Sequence, residues 1–118
     1  MQAETKPVIP FETFAAADIR LGRIVSVERA ENAVKPSYKL TVDFGKYGVR
    51  TSVARFTNHV ADELIGKQVF GVLNFEPREV GGIVSEFLTL GVQIPKADSG
   101  EATPVTPMIE AKLGSKLF

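Results

Sequence analysis

The residues best equipped for chemistry lie in one run, Asn74-Phe75-Glu76-Pro77-Arg78-Glu79-Val80-Gly81-Gly82-Ile83-Val84-Ser85-Glu86-Phe87-Leu88-Thr89-Leu90. Arg78, held by Pro77 just after a strand, presents a guanidinium suited to gripping a phosphate through two parallel N–H donors. Asn74 and Ser85 offer neutral hydrogen bonds beside it. The competing use of Arg78 is an ion pair with Glu76 or Glu79, and Asn74 and Ser85 can instead bond the backbone of their own loop. Gly81-Gly82 suits a bend with φ > 0 at one position. It is not a phosphate loop, because no Gly-Lys-Ser/Thr follows.

Bond-making chemistry is poorly supplied. The chain has no Cys, which removes thiolate nucleophiles, disulfides and Cys-based zinc sites together. His59 is the single histidine and no Gly-x-Ser-x-Gly turn surrounds a serine, so no nucleophile–base pair can be drawn. His59 reads as a surface or packing residue. The carboxylate pairs Glu76/Glu79 and Glu79/Glu86 read as solvated rather than as an acid and a base. The expectation is a binding protein, not an enzyme, with no metal and no cofactor.

Charge sharpens the expectation. Formal net charge is zero, which speaks against binding through bulk positive charge alone. Residues 35–55 nevertheless hold Lys35, Lys39, Lys46, Arg50 and Arg55 against Asp43 only, a local +4, while residues 56–118 sum to −3. Such a stretch is either a footprint for a phosphate backbone or an ordinary solvated strand face. On the first reading Lys39, Arg50, Ser52 and Arg55 extend the surface begun by Arg78. Stacking on bases would need exposed rings; most of the eight Phe fall at apparent core positions, leaving Phe56 and Tyr47 as candidates.

The elements that must position these groups are mostly strands. Tyr38 to Phe44 alternates strictly, with Tyr38, Leu40, Val42 and Phe44 on one face and Lys39, Thr41 and Asp43 on the other. Gly45-Lys46-Tyr47-Gly48 and the segment Val49 to Ala54 then complete a hairpin. Leu21 to Arg29 is β-branched but breaks alternation at Ile24-Val25, as in a strand buried on both sides or bent through Gly22. Asn58 is a fit N-cap for a short helix ending at Gly66. Strands resume at Gln68–Leu73 and Glu86–Val92, and Phe11–Ala17 suits one more helical turn. Five strands with a small helix between the third and fourth is the order of an all-β OB-fold barrel; a β-sandwich is the competing architecture, with no obvious place for the helix.

At 118 residues, 44% hydrophobic and 24% charged, the chain fits one small domain. We expect a tail over 1–10, the barrel over 11–92 and an extension over 93–118. Within the extension a polar stretch, Gln93 to Thr103, precedes the apolar Pro104–Ile109, Leu113, Leu117 and Phe118, which must cover the barrel itself or a partner subunit. No run is apolar enough for a bilayer and the N-terminus lacks a leader pattern, so membrane insertion is not expected and a cytoplasmic location is.

Taken with Asp18-Ile19-Arg20-Leu21-Gly22-Arg23-Ile24-Val25, the run from Asn74 resembles the tRNA-binding domain family, whose pattern pairs D-I-R-x-G-x-I-V with a later N-x-x-P-R-x-x-x-G-x-x-S-E. The likeness covers residues 11 to 92 closely and Leu113–Phe118 more loosely, and is nearest to the small free-standing CsaA type. It implies an OB-fold that binds tRNA by shape and backbone contacts as a homodimer, or a chaperone for unfolded or export-bound polypeptides. It carries recognition roles onto Asn74, Pro77, Arg78, Gly81, Ser85 and Glu86. Asp18 and Arg20 match the front motif, where a structural role is an equal reading. Where members of this family often carry a second basic residue after the motif arginine, this chain has Glu79, which opposes phosphate.

Overall fold

A computed structural model describes residues 2–95 and 100–118. The polar stretch expected between Gln93 and Thr103 therefore has residues 96–99 outside the described residues, as is Met1. One antiparallel sheet dominates, with β1 (Ile19–Arg29), β2 (Tyr38–Asp43), β3 (Val49–Ala54), β4 (Gln68–Val72) and a short β7 (Leu88–Thr89) in the order β3-β2-β1-β4-β7. Between β4 and β7 lies a separate hairpin of β5 (Arg78–Val80) and β6 (Ile83–Ser85), and after β7 a ribbon of β8 (Gly91–Gln93) and β9 (Ala102–Pro104). Helices are short, α1 (Phe11–Ala15) before β1 and α2 (Ala61–Leu64) between β3 and β4. The sheet curls until the segment before β7 meets β3, where Glu86 N–H donates to Thr51 C=O at 2.8 Å, so the barrel is nearly closed. This is the five-stranded OB-fold expected from the strand order.

The alternation in β2 does what its pattern dictates. Tyr38, Leu40, Val42 and the following Phe44 are buried and join Ile24, Phe56, Leu64, Val69, Leu73 and Phe87 in one core. Burying such side chains stabilises the fold by roughly 1.5–3 kcal/mol each. The break in β1 is a β-bulge: Ile24 pairs with Val42 and Ser26 with Thr41, so Val25 is the extra, exposed residue. Gly22 has a different role, close approach. A Cβ there would lie 2.5 Å from Val42 Cγ1 and 2.7 Å from Phe44, so only a residue without a side chain lets β1 cross the core at this point.

Two local expectations are corrected. The N-cap of α2 is Val60, not Asn58, because His59 N–H closes a turn onto Phe56 C=O and the Glu63 carboxylate reaches back to the Val60 N–H at 3.1 Å. Gly66 still stops the helix, at φ 90°, and its N–H donates to Ile24 C=O. The strand expected over Glu86–Val92 is divided, since Leu88–Thr89 pairs with β4 whereas Gly91–Gln93 pairs with β9. No helix of the described residues is long and apolar enough to cross a membrane.

The last residues return to the barrel. Gly114 N–H donates to Leu21 C=O, Leu21 N–H to Ser115 C=O and Leu117 N–H to Ile19 C=O, adding an irregular strand along β1. Gln68 exchanges two hydrogen bonds with Ala111, and Arg23 clasps Glu110 through two nitrogens at 2.9 and 2.7 Å. The tail thus covers its own barrel through its backbone. Met108, Ile109 and Phe118 still point to solvent.

Candidate nucleic-acid interface

The motif run is largely consumed in bracing itself. Asn74 accepts from Asp18 N–H through Oδ1 at 2.8 Å and donates through Nδ2 to Ala16 C=O at 2.7 Å, tying the β4–β5 loop to the chain entering β1. The outward N–H groups of β3 need partners where no strand adds beside them. Thr51 N–H donates to Glu86 Oε1 at 2.9 Å, an oxygen that also accepts from the Thr51 hydroxyl, and Val53 N–H donates to Ser85 Oγ at 3.2 Å. Ser52 Oγ donates to Phe87 C=O at 2.9 Å and lies within 3.4 Å of the Ser85 and Thr89 hydroxyls. Ser-Glu in this motif is therefore the clasp of the barrel seam.

These contacts correct part of the expected ligand surface. Ser52 is 1% exposed, at the inner face of β3 opposite Leu40, so a direct contact with nucleic acid is excluded in this conformation. Arg50 lies on the same side of β3, half-buried, where it donates to Leu73 C=O at 3.2 Å. Ser85 is 8% exposed and Glu86 half-buried, both occupied as described. The aromatic candidates fail as well: Phe56 is 2% exposed in the core, and half-buried Tyr47 packs beneath the Arg20 guanidinium, 4.6 Å from the ring centre. Asp18 and Arg20 pair with each other at 2.7 Å.

Arg78 remains. Among the described residues it forms no ion pair, neither with Glu76 nor with Glu79, and it is exposed. β5 and β6 set it across from Ser85, and the turn between them uses Gly81 and Gly82 at φ 56° and 83°, both positive where one was expected. A Cβ on Gly81 would lie 2.7 Å from Ala33 N, so this glycine lets the hairpin rest directly on the β1–β2 loop. Two hollows result, sharing Arg78 and Val53. One of about 380 Å³ lies under the hairpin with Lys35 and Arg55 in its walls; the other, about 270 Å³, is lined by Phe75, Phe87 and Leu88. Arg55 donates to Pro36 C=O at 3.2 Å, and Lys39 lies beside Val53 on the outer face of β2.

The basic stretch 35–55 is thus divided. Lys35 and Arg55 line the hollow under the hairpin, Lys39 pairs with Val53 on the neighbouring strand, Arg50 faces inward, and Lys46 lines another hollow of about 460 Å³ against Lys112 and Gly114. Two contributors were missed from sequence. Lys35 was counted as charge but not placed, because a loop residue has no strand face to read. Phe75 was grouped with core rings, yet it is 53% exposed. Its signal was position: it falls after Asn74, which ends the apolar run of β4, and before Glu76-Pro77.

Among the described residues no group of three or more His, Asp or Glu could hold a metal. His59 contacts Glu63 through Nδ1 and Thr103 through Nε2, both at 2.9 Å, pinning β9 to α2.

Comparison with known proteins supplies the context. Residues 19–116 match the model of a family described as putative tRNA binding domain. The chain superposes on the chaperone CsaA of Bacillus anthracis with a TM-score of 0.86 and 34% identity, covering 95% of this chain and 100% of that one. On the CsaA chaperone protein of Picrophilus torridus the TM-score is 0.85 at 35% identity, with 94% and 100% covered. The methionine–tRNA ligase of Methanosarcina mazei is 34% identical over 120 residues, which is 99% of this chain but 16% of the ligase. The chain therefore spans about one-sixth of that curated relative.

Proposed function

The chain belongs to the tRNA-binding domain family, and from that premise we propose that it binds tRNA by shape and phosphate contacts, as a homodimer and without chemical turnover of its ligand. The observation that carries the reading is Arg78, an exposed guanidinium with no ion pair among the described residues, shared by two hollows, one of which is also lined by Lys35 and Arg55, with Lys39 paired in register to the Val53 common to both. Phosphate contacts dominate the affinity of such surfaces and release counterions on binding. Asn74, Ser85 and Glu86 support the site by holding the loop that carries Arg78, rather than by touching RNA.

The test is a salt series with total tRNA. Arg78→Ala should weaken binding to every tRNA and lower the slope of log affinity against log salt by about one contact. Unchanged affinity and slope would remove Arg78 from the interface. A second reading, polypeptide binding, draws on the exposed Phe75 and Leu88 lining the smaller hollow and on two structural neighbours being chaperones. Competition between tRNA and an unfolded polypeptide separates the two: displacement that Arg78→Ala abolishes for tRNA alone favours tRNA as ligand.

A further inference from the structure

Shape recognition of duplex RNA calls for cations spaced along a surface, and has no use for an exposed aromatic ring beside a base-sized apolar hollow. This interface has both. Phe75 is 53% exposed although it sits between Asn74, whose amide fixes the backbone at two points, and Pro77, which restricts the chain again. The ring is therefore carried on a rigid loop and loses little freedom on binding a flat partner. Phe87, 3% exposed, forms the floor of the hollow, and Leu88 and Val53 its walls. Phe87 cannot give way, because it is locked edge-on against Phe44 with ring centres 4.9 Å apart.

Resting on the tRNA reading and narrowing it, we infer that the hollow between Phe75 and Leu88 receives an unpaired nucleobase, with the phosphate next to it on Arg78 and the strand continuing under the hairpin toward Arg55 and Lys35. Charge selects this occupant. The first hollow shares Arg78 and Val53 with the second, so a flat apolar group seated in it must be followed by negative charge within one residue of its own chain. A nucleotide has that repeat and an unfolded polypeptide does not. Glu76 at the rim of the first hollow and Glu79 at the second repel phosphate on either side of Arg78, which places the contacted phosphate at the junction. A duplex keeps its bases stacked and paired, so it cannot fill the hollow; a loop or an unpaired end can.

The experiment compares a fluorescein-labelled single-stranded ribohexamer, a blunt RNA duplex with the same number of phosphates and total tRNA, at one salt concentration. The full chain is used as wild type, Phe75→Leu and Phe75→Trp. We expect the wild type to prefer the single strand, Phe75→Leu to weaken that binding about tenfold while changing duplex binding less than twofold, and Phe75→Trp to restore it. Because Phe75 lies at the surface, all three proteins should melt alike, which thermal unfolding verifies. Equal affinity for single strand and duplex, or indifference to Phe75→Leu, would overturn the inference, while Arg78-dependent binding of tRNA would still stand. Failure of the wild type to bind any of the RNAs would remove both. An unfolded polypeptide whose binding alone depends on Phe75 would also overturn the inference and assign the hollow to protein.

Discussion

Arg78 and Glu79 are neighbours in β5 with opposite consequences for an anion. Strand geometry turns successive side chains to opposite faces, yet both line the hollow under the hairpin, where the carboxylate subtracts from the field of Arg78, Arg55 and Lys35. Glu79→Lys should therefore raise tRNA affinity several-fold at low salt and steepen the salt dependence, by removing one repulsion and adding one contact. Both residues are exposed, so stability should change little. A filter-binding series that showed no change in affinity would turn the hairpin away from RNA. Asn74, in contrast, is exposed but has both its amide oxygen and its amide nitrogen engaged by backbone, which shows why accessibility alone does not nominate a ligand.

At the scale of elements, the seam between β3 and the segment entering β7 is held largely by side chains. Glu86 accepts both the N–H and the hydroxyl of Thr51, while its own N–H completes the pair with Thr51 C=O. Removing that carboxylate leaves the Thr51 N–H without its partner at a half-buried position. Glu86→Ala should cost about 1–3 kcal/mol in denaturant unfolding, and Glu86→Gln, which keeps the accepting oxygen, appreciably less. Equal losses for the two would mean that the seam depends on charge rather than on the acceptor. The hairpin of β5 and β6 hangs from this seam, so Glu86→Ala should also loosen the placement of Arg78, read as faster amide exchange in β5.

For the whole molecule, two properties of the tail matter. Its backbone is fastened to the barrel, and Arg23 holds the Glu110 carboxylate below its ordinary value of 4.5, chiefly through their paired hydrogen bonds. A carboxylate depressed on folding stabilises above its unfolded value and ceases to do so as pH falls through the folded one. The stability difference between wild type and Glu110→Gln should thus be largest near neutrality, in favour of wild type, and vanish in acid. A difference independent of pH would deny the pair any part. The outward side chains, Met108 at 100% and Ile109 at 76% exposure, support a two-fold contact between copies of this chain, since isologous pairing would bury both patches together. Met108→Asp with Ile109→Asp should shift the mass in light scattering toward monomer and weaken tRNA binding, with an unchanged melting temperature at high dilution. A dimer of undiminished affinity would leave these side chains without that role.

Much of this was written in the sequence because its causes are local. Strict alternation in β2 placed Tyr38, Leu40, Val42 and Phe44 on the core face, since a strand has only two faces; Gly66 ended α2 because its left-handed backbone suits that stop. Arg78 stood out for its proline and its polar neighbours. The tertiary structure alone decided what the polar groups do. Ser52 and Ser85 lie 33 residues apart, and Thr51 and Glu86 35 apart, so no local pattern reveals that closing the barrel consumes them. Phe56 and Phe75 are likewise indistinguishable by type, one sealing the core and the other exposed, because the side of the surface on which a loop residue falls is set by the packing of distant strands. Closure of the sheet is a long-range event, and it determines which of the candidate residues remain free to meet a ligand.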